Sequence, residues 1–164
     1  MTDKEKIRQL KHNLYISGIG VILLGVWGCL KATMTLYLSE GGIDTSEIEA
    51  EYIPIFMGAL LIMLILLNII IMAFHLYVGL NAMKAGKRGN RKKAYLYVAA
   101  FMGVISLFSF AGDYEIVQGD ITKIDVAIAS TLVDFVFIFI IFDIIYSSVK
   151  IRKMEKLISD EGAQ

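Results

Sequence analysis

Five polar side chains interrupt long apolar stretches of this chain: Lys31, Asn68, His75, Asp134 and Asp143. A charge buried in an apolar medium is costly, so each such residue is expected to pair, to bind something or to exchange a proton. At 1.5 Å per helical residue, Lys31 lies ~10 Å from the end of its stretch near Leu38, and Asp134 ~12 Å from the start of its own near Val126. Equal depth predicts an interhelical ion pair, in which each charge lowers the cost of burying the other. Such a pair would set the register of the first and fourth helices. Two readings stay open beside it: Asp134 as a coupling or proton-binding carboxylate, and Lys31 stretching along its helix to reach water.

Asp143 and His75 both fall near the opposite ends of their stretches. A carboxylate beside an imidazole would make the histidine a pH-sensitive element. The plainer expectation for Asp143 is a contact with lipid headgroups or with a basic side chain. Asp134 and Asp143 are nine residues apart, half a turn around a helix, so they are not expected to face one neighbour squarely. Asn68 sits mid-stretch and is expected to hydrogen-bond across the bundle, with a substrate contact as the alternative.

Other chemistry is thin. Cys29 is the one cysteine, so neither an internal disulfide nor a CxxC pair can form. It reads as a small apolar residue. The run Val26-Trp27-Gly28-Cys29 after a basic N-terminus is loosely similar to a lipoprotein cleavage site, but Trp27 departs from its small residue. The sequence holds no HExxH, no GxSxG and no GxxxxGK, and its histidines are His12 and His75. No catalytic residue, metal or cofactor is therefore expected.

What carries these residues is a set of apolar helices. The 164-residue chain is 57% hydrophobic, and its mean hydropathy is +0.66. A soluble domain of that composition would expose large apolar patches. About 20 apolar residues span a bilayer as a helix. Four stretches qualify, at residues 14–38, 53–83, 94–111 and 126–149, with tails at 1–13 and 150–164. The runs are continuous rather than alternating, and backbone groups in lipid must pair internally, so helices are expected and not a barrel. The expected fold is a single all-α integral membrane domain, a four-helix up-down-up-down bundle. Gly41-Gly42, Gly86, Gly89-Asn90 and Gly112 read as helix ends. Pro54 suits a first turn, and Ser46 with Glu49 has capping-box spacing.

The connecting segments alternate in charge. Lys4, Lys6, Arg8 and Lys11 precede the first stretch, against Asp3 and Glu5. The first loop has Glu40, Asp44, Glu47, Glu49 and Glu51 and no base. The second has Lys84, Lys87, Arg88, Arg91, Lys92 and Lys93 and no acid. The third has Asp113, Glu115, Asp120 and Asp125 against Lys123, and Lys150, Arg152, Lys153 and Lys156 open the tail. Basic segments stay in the cytoplasm, so both termini are expected there, in the cell membrane. All eight tyrosines fall near span ends, as an interfacial belt would.

Gly18, Gly25, Gly28 and Ala32 put small residues along the first helix, where backbones can approach closely. Lys84, Lys87, Arg88, Arg91, Lys92 and Lys93 are candidates for contact with anionic lipid headgroups. Ile151, Met154, Leu157 and Ile158 share a face of the tail, which suits either lying on the inner leaflet or continuing the fourth helix into the cytoplasm to dock a partner. The layout is superficially similar to that of four-span multidrug transporters. Those carry a glutamate in the first span, where this chain has Lys31 and no acid, so no family is assigned. The expected function is that of a non-enzymatic accessory, assembly or regulatory component, partnered by the bilayer and by another membrane protein or a second copy, with no nucleic acid. The alternative is a small oligomeric transporter or channel using the intramembrane carboxylates.

Overall fold

The computed structural model describes residues 2–38, 49–88, 93–119 and 124–161, with side chains for all but 35–38, 109–119, 124–127 and 161. The regular elements among them are four helices: α1 (Asp3–Leu38), α2 (Ile53–Arg88), α3 (Ala94–Gly119) and α4 (Ile124–Glu161). Three are long and apolar enough to cross a membrane, over Asp3–Met34, Ile53–Arg88 and Ile128–Asp160. The apolar part of α3 among the described residues, Ala94–Phe108, is shorter.

The helices outrun the apolar stretches. α1 starts at Asp3, ahead of the apolar stretch from Leu14, and α4 continues past Val149 to Glu161, the second of the two readings of the tail. Apolar runs mark only what can lie in lipid, whereas a helix continues wherever its backbone stays paired and its ends are capped. At the start of α1 the cap is Thr2. Its backbone N–H donates to Glu5 Oε2 at 2.7 Å, and its hydroxyl accepts from the Glu5 N–H at 3.4 Å, a reciprocal capping box. A turn closed by Tyr52 N–H to Glu49 O, 2.8 Å, leads into α2, whose first turn holds Pro54. Lys87 and Arg88 end α2, where cations favour the helix dipole.

Two expected breaks are not breaks. α2 runs through Gly86 to Arg88, and α3 runs through Gly112 to Gly119. Gly86 serves packing instead: a Cβ there would stand 2.6 Å from the Lys11 carbonyl oxygen. A glycine inside a helix costs only about 1 kcal/mol, so burial of a neighbouring backbone easily overrides its breaking tendency. Gly41-Gly42, Ser46, Gly89-Asn90, and the loop charges Glu40, Asp44, Glu47, Arg91, Lys92, Asp120 and Lys123 lie outside the described residues.

α1 is the hub. It packs against both α2 and α4, while α3 leans on α4 and meets α2 least. Between α1 and α2, Gly86 lies against Lys11 and Tyr15, Gly79 against Gly18 and Ile22, His75 against Gly25, and Ile71 against Gly28. One index falls as the other rises. The same holds for α1 and α4, through Lys11 with Glu155, Ser17 with Asp143, Gly20 with Ile140 and Lys31 with Asp134.

The buried core sits toward one end. Leu14, Val21, Val78, Ala82, Tyr95, Ala99, Met102, Ile141, Ile144 and Ile151 form one cluster. These come from the early part of α1 and α3 and the late part of α2 and α4. Toward the other end of α2, Leu64 is buried while Ile55, Ile62, Met63, Leu66 and Ile69 are exposed. Among the described side chains, burial is therefore concentrated at one end of the bundle.

Candidate functional site

The interrupting polar residues cluster along the α1 interfaces. Lys31 Nζ lies 2.7 Å from Asp134 Oδ2, with side-chain exposures of 24% and 15%. Its position follows from helix geometry. From Ser17 to Lys31 is about 21 Å along α1, but from Asp143 to Asp134 only about 13.5 Å along α4. The lysine stem closes the difference. Cβ atoms tilt toward the helix N-terminus, so Lys31 leans back toward Ser17 and Asp134 leans the opposite way, toward Lys31.

Asp143 also turns to α1. Its Oδ2 accepts from the Ser17 hydroxyl at 2.6 Å and its Oδ1 from the Ser147 hydroxyl at 3.2 Å. The half-turn between Asp134 and Asp143 thus does not send them to different neighbours. A carboxylate at each edge of the α4 face reaches the same partner helix, because the reach of the lysine and serine side chains absorbs the angle. His75 takes other partners: Nδ1 lies 2.8 Å from the Ile71 carbonyl oxygen, and its ring is 5.2 Å from that of Phe137. A Cβ on Gly25 would stand 2.6 Å from His75 Cβ, so this glycine makes room for the imidazole.

Asn68 joins α1 to α2 away from the buried cluster. Its Nδ2 donates to Thr33 Oγ1 at 3.3 Å and to the Leu64 carbonyl at 3.1 Å. The Thr33 hydroxyl in turn donates to the Cys29 carbonyl at 2.8 Å, and the Cys29 thiol to the Asn68 carbonyl at 3.5 Å. Asn68 Oδ1 is buried without a partner among the described residues. Lys31–Asp134 and Asn68–Thr33 are thus polar links from α1 to α4 and to α2. In lipid, hydrogen bonds and close backbone approach hold helices together, because the lipid tails are as apolar as leucine.

Of the small residues expected on α1, Gly18 and Gly25 are buried, Gly28 and Ala32 are half-buried, and a Cβ on Gly28 would stand 3.4 Å from Ile71. The sequence reading missed their counterpart on α2, Gly79, where a Cβ would stand 2.6 Å from the Gly18 oxygen. It missed the hydroxyls of Ser17, Thr33 and Ser147 as well. The one available signal was their residue type within an apolar run.

At the end with the buried cluster, Tyr95 Oη lies 2.8 Å from Ser148 Oγ, and both residues are buried. Lys11 bridges to Glu155 at 2.7 Å, joining α1 to α4. Lys87 stacks over the Tyr15 ring at 4.7 Å. Lys84, Lys87, Arg88 and Lys93 are exposed there, and Arg91 and Lys92 lie outside the described residues. Among the described residues no cluster of three or more His, Cys, Asp or Glu side chains could hold a metal. No family model matches the chain, nor does any curated protein or any solved structure.

Proposed function

We propose that this chain is a multi-pass protein of the cell membrane, an up-down-up-down four-helix bundle with both termini in the cytoplasm, acting as a non-enzymatic accessory, assembly or regulatory component. The observation that carries the reading is the 2.7 Å Lys31–Asp134 contact. A coupling carboxylate must exchange its ion, whereas one held by a lysine is already neutralised and fastens helices. Asn68 and His75 are likewise engaged by the bundle's own groups. The exposed apolar length of α2 suits lipid and, equally, the transmembrane helix of a partner. The acidic first loop and basic second loop support the orientation.

A second reading, a small oligomeric transporter or channel, has one observation in its favour. The partners of Asp143 among the described residues are two hydroxyls rather than a cation. Two hydroxyls donating to the carboxylate favour its charged form, and together they offer oxygen ligands to a hard cation.

Native mass spectrometry after polymer extraction from the native membrane separates the two. A second protein retained in fixed ratio supports the accessory reading. Copies of this chain alone, with ion flux abolished by Asp143→Asn, overturn it in favour of the transporter.

A further inference from the structure

The end of the bundle that holds the buried cluster also carries a pocket of ≈ 420 Å³, a size typical of small-molecule sites. All four helices or their immediate flanks contribute: Lys11 and Leu14 from α1, Ala85 and Arg88 from α2, Lys93 and Tyr95 from the start of α3, and Ser148, Ile151, Arg152 and Glu155 from α4. Its charged lining is four cations to one carboxylate, and Glu155 is already engaged by Lys11 at 2.7 Å. Arg152 acts electrostatically on the Tyr95 hydroxyl, which lies 2.8 Å from the Oγ of the buried Ser148. Arg152, Tyr95 and Ser148 thus line one wall of the pocket together, a cation beside two hydroxyls.

We infer that this pocket binds the phosphate of an anionic lipid headgroup. Guanidinium and ammonium groups converging with hydroxyls match phosphate oxygens in charge and geometry. The same chemistry would hold free phosphate, but three features favour the lipid. The pocket floor is apolar, made by Leu14, Ala85 and Ile151. It lies where the apolar stretches of all four helices give way to charge, at headgroup level if the chain spans a membrane. Its wall includes Arg88, at the end of α2, and Lys93, just before α3, and these two helices pack less extensively than α1 with α2, α1 with α4 or α3 with α4, which suits acyl chains lying along that seam. The inference rests on the membrane reading and adds a specific site to it.

The test uses the full chain in nanodiscs of phosphatidylcholine with a minority of phosphatidylglycerol, and reads retained lipid by native mass spectrometry. Arg88→Gln/Lys93→Gln/Arg152→Gln lowers phosphatidylglycerol retention about a hundredfold, roughly fivefold per cation. Lys93→Gln alone lowers it about fivefold. That residue is exposed at the start of α3, so the single variant keeps the test decisive even if the triple variant fails to fold. Lys4→Gln/Arg8→Gln, which removes two cations from a neighbouring groove, lowers retention by less than Lys93→Gln alone. Equal loss in the pocket and control variants means diffuse surface charge and overturns the site. Displacement of the lipid by millimolar inorganic phosphate assigns the pocket to a soluble anion and overturns the lipid. Release of the wild-type chain from membranes by alkaline carbonate overturns the membrane reading itself, independently of the lipid result.

Discussion

Truncating either member of the Lys31–Asp134 pair leaves the other as an uncompensated charge at partial depth. Lys31→Ala or Asp134→Ala is expected to cost about 3 kcal/mol, as for one partner removed from a buried pair. Reversing both, Lys31→Asp with Asp134→Lys, restores most of that, read as accumulation and as thermal stability in detergent. A double reversal no better than either single variant would rule out the pair as a fastener. Tyr95→Phe strands the buried Ser148 hydroxyl and should cost about 1–2 kcal/mol. Ser148→Ala should cost a similar amount, and the double variant should cost less than the two together, measured as a thermodynamic cycle. At this scale the sequence was half legible. Lys31 and Asp134 stand out because a charge in an apolar run has few explanations, and depth arithmetic pairs them. Ser17, Ser147 and Thr33 do not stand out, since a hydroxyl can satisfy itself on its own helix and so says little about where it points.

Among elements, the closest approach is between α1 and α2, and glycines set its distance. A side chain at Gly18 meets the Gly79 carbonyl at 2.7 Å and Met83 at 2.8 Å, so Gly18→Val must push the helices apart. The expected cost is about 1–3 kcal/mol, typical of overpacking. A Cβ on Gly58, in the first half of α2, would meet nothing within 4 Å among the described residues. Gly58→Ala is expected to be neutral or to stabilise by up to about 1 kcal/mol, because alanine is the better helix former. Equal losses in both variants would show that glycine matters here for helix flexibility and not for packing. Helix existence was readable because runs of 18 or more apolar residues admit little else. Helix ends were not, and Gly86 shows why. A glycine at a helix end and one beneath a neighbouring backbone look alike until the partner, here Lys11 and Tyr15, is known. The register of α1 on α2 was unreadable for the same reason, since lipid-facing and helix-facing surfaces are both apolar.

For the whole molecule the question is parity: an even number of crossings returns the C-terminus to the side of the N-terminus. α1, α2 and α4 have the length and apolarity to cross, so the parity turns on α3, whose described apolar portion is the shortest. The full α3 of 26 residues reaches about 39 Å, enough for a ~30 Å core, although its later turns include Asp113 and Glu115. If α3 crosses, Asp160 near the end of α4 lies in the cytoplasm with Lys93. If α3 only dips and returns, α4 carries Asp160 to the outside. In a Cys29→Ala background, a membrane-impermeant maleimide applied to intact cells is expected to label Glu51→Cys and to reach Lys93→Cys and Asp160→Cys only after permeabilisation. All three positions are exposed, so access reports the side of the membrane rather than burial. The charges favour this outcome. Between α1 and α2 the chain carries five acids and no base, around the turn from α2 to α3 it carries six bases and no acid, and bases again open the tail past Val149. Labelling of Asp160→Cys from outside, with Lys93→Cys protected, would reduce the protein to three crossings and put its C-terminal tail on the opposite face from the basic pocket. Arg152 and Glu155 could not then meet Lys11, so the same experiment tests the α1–α4 contact at that end of the bundle.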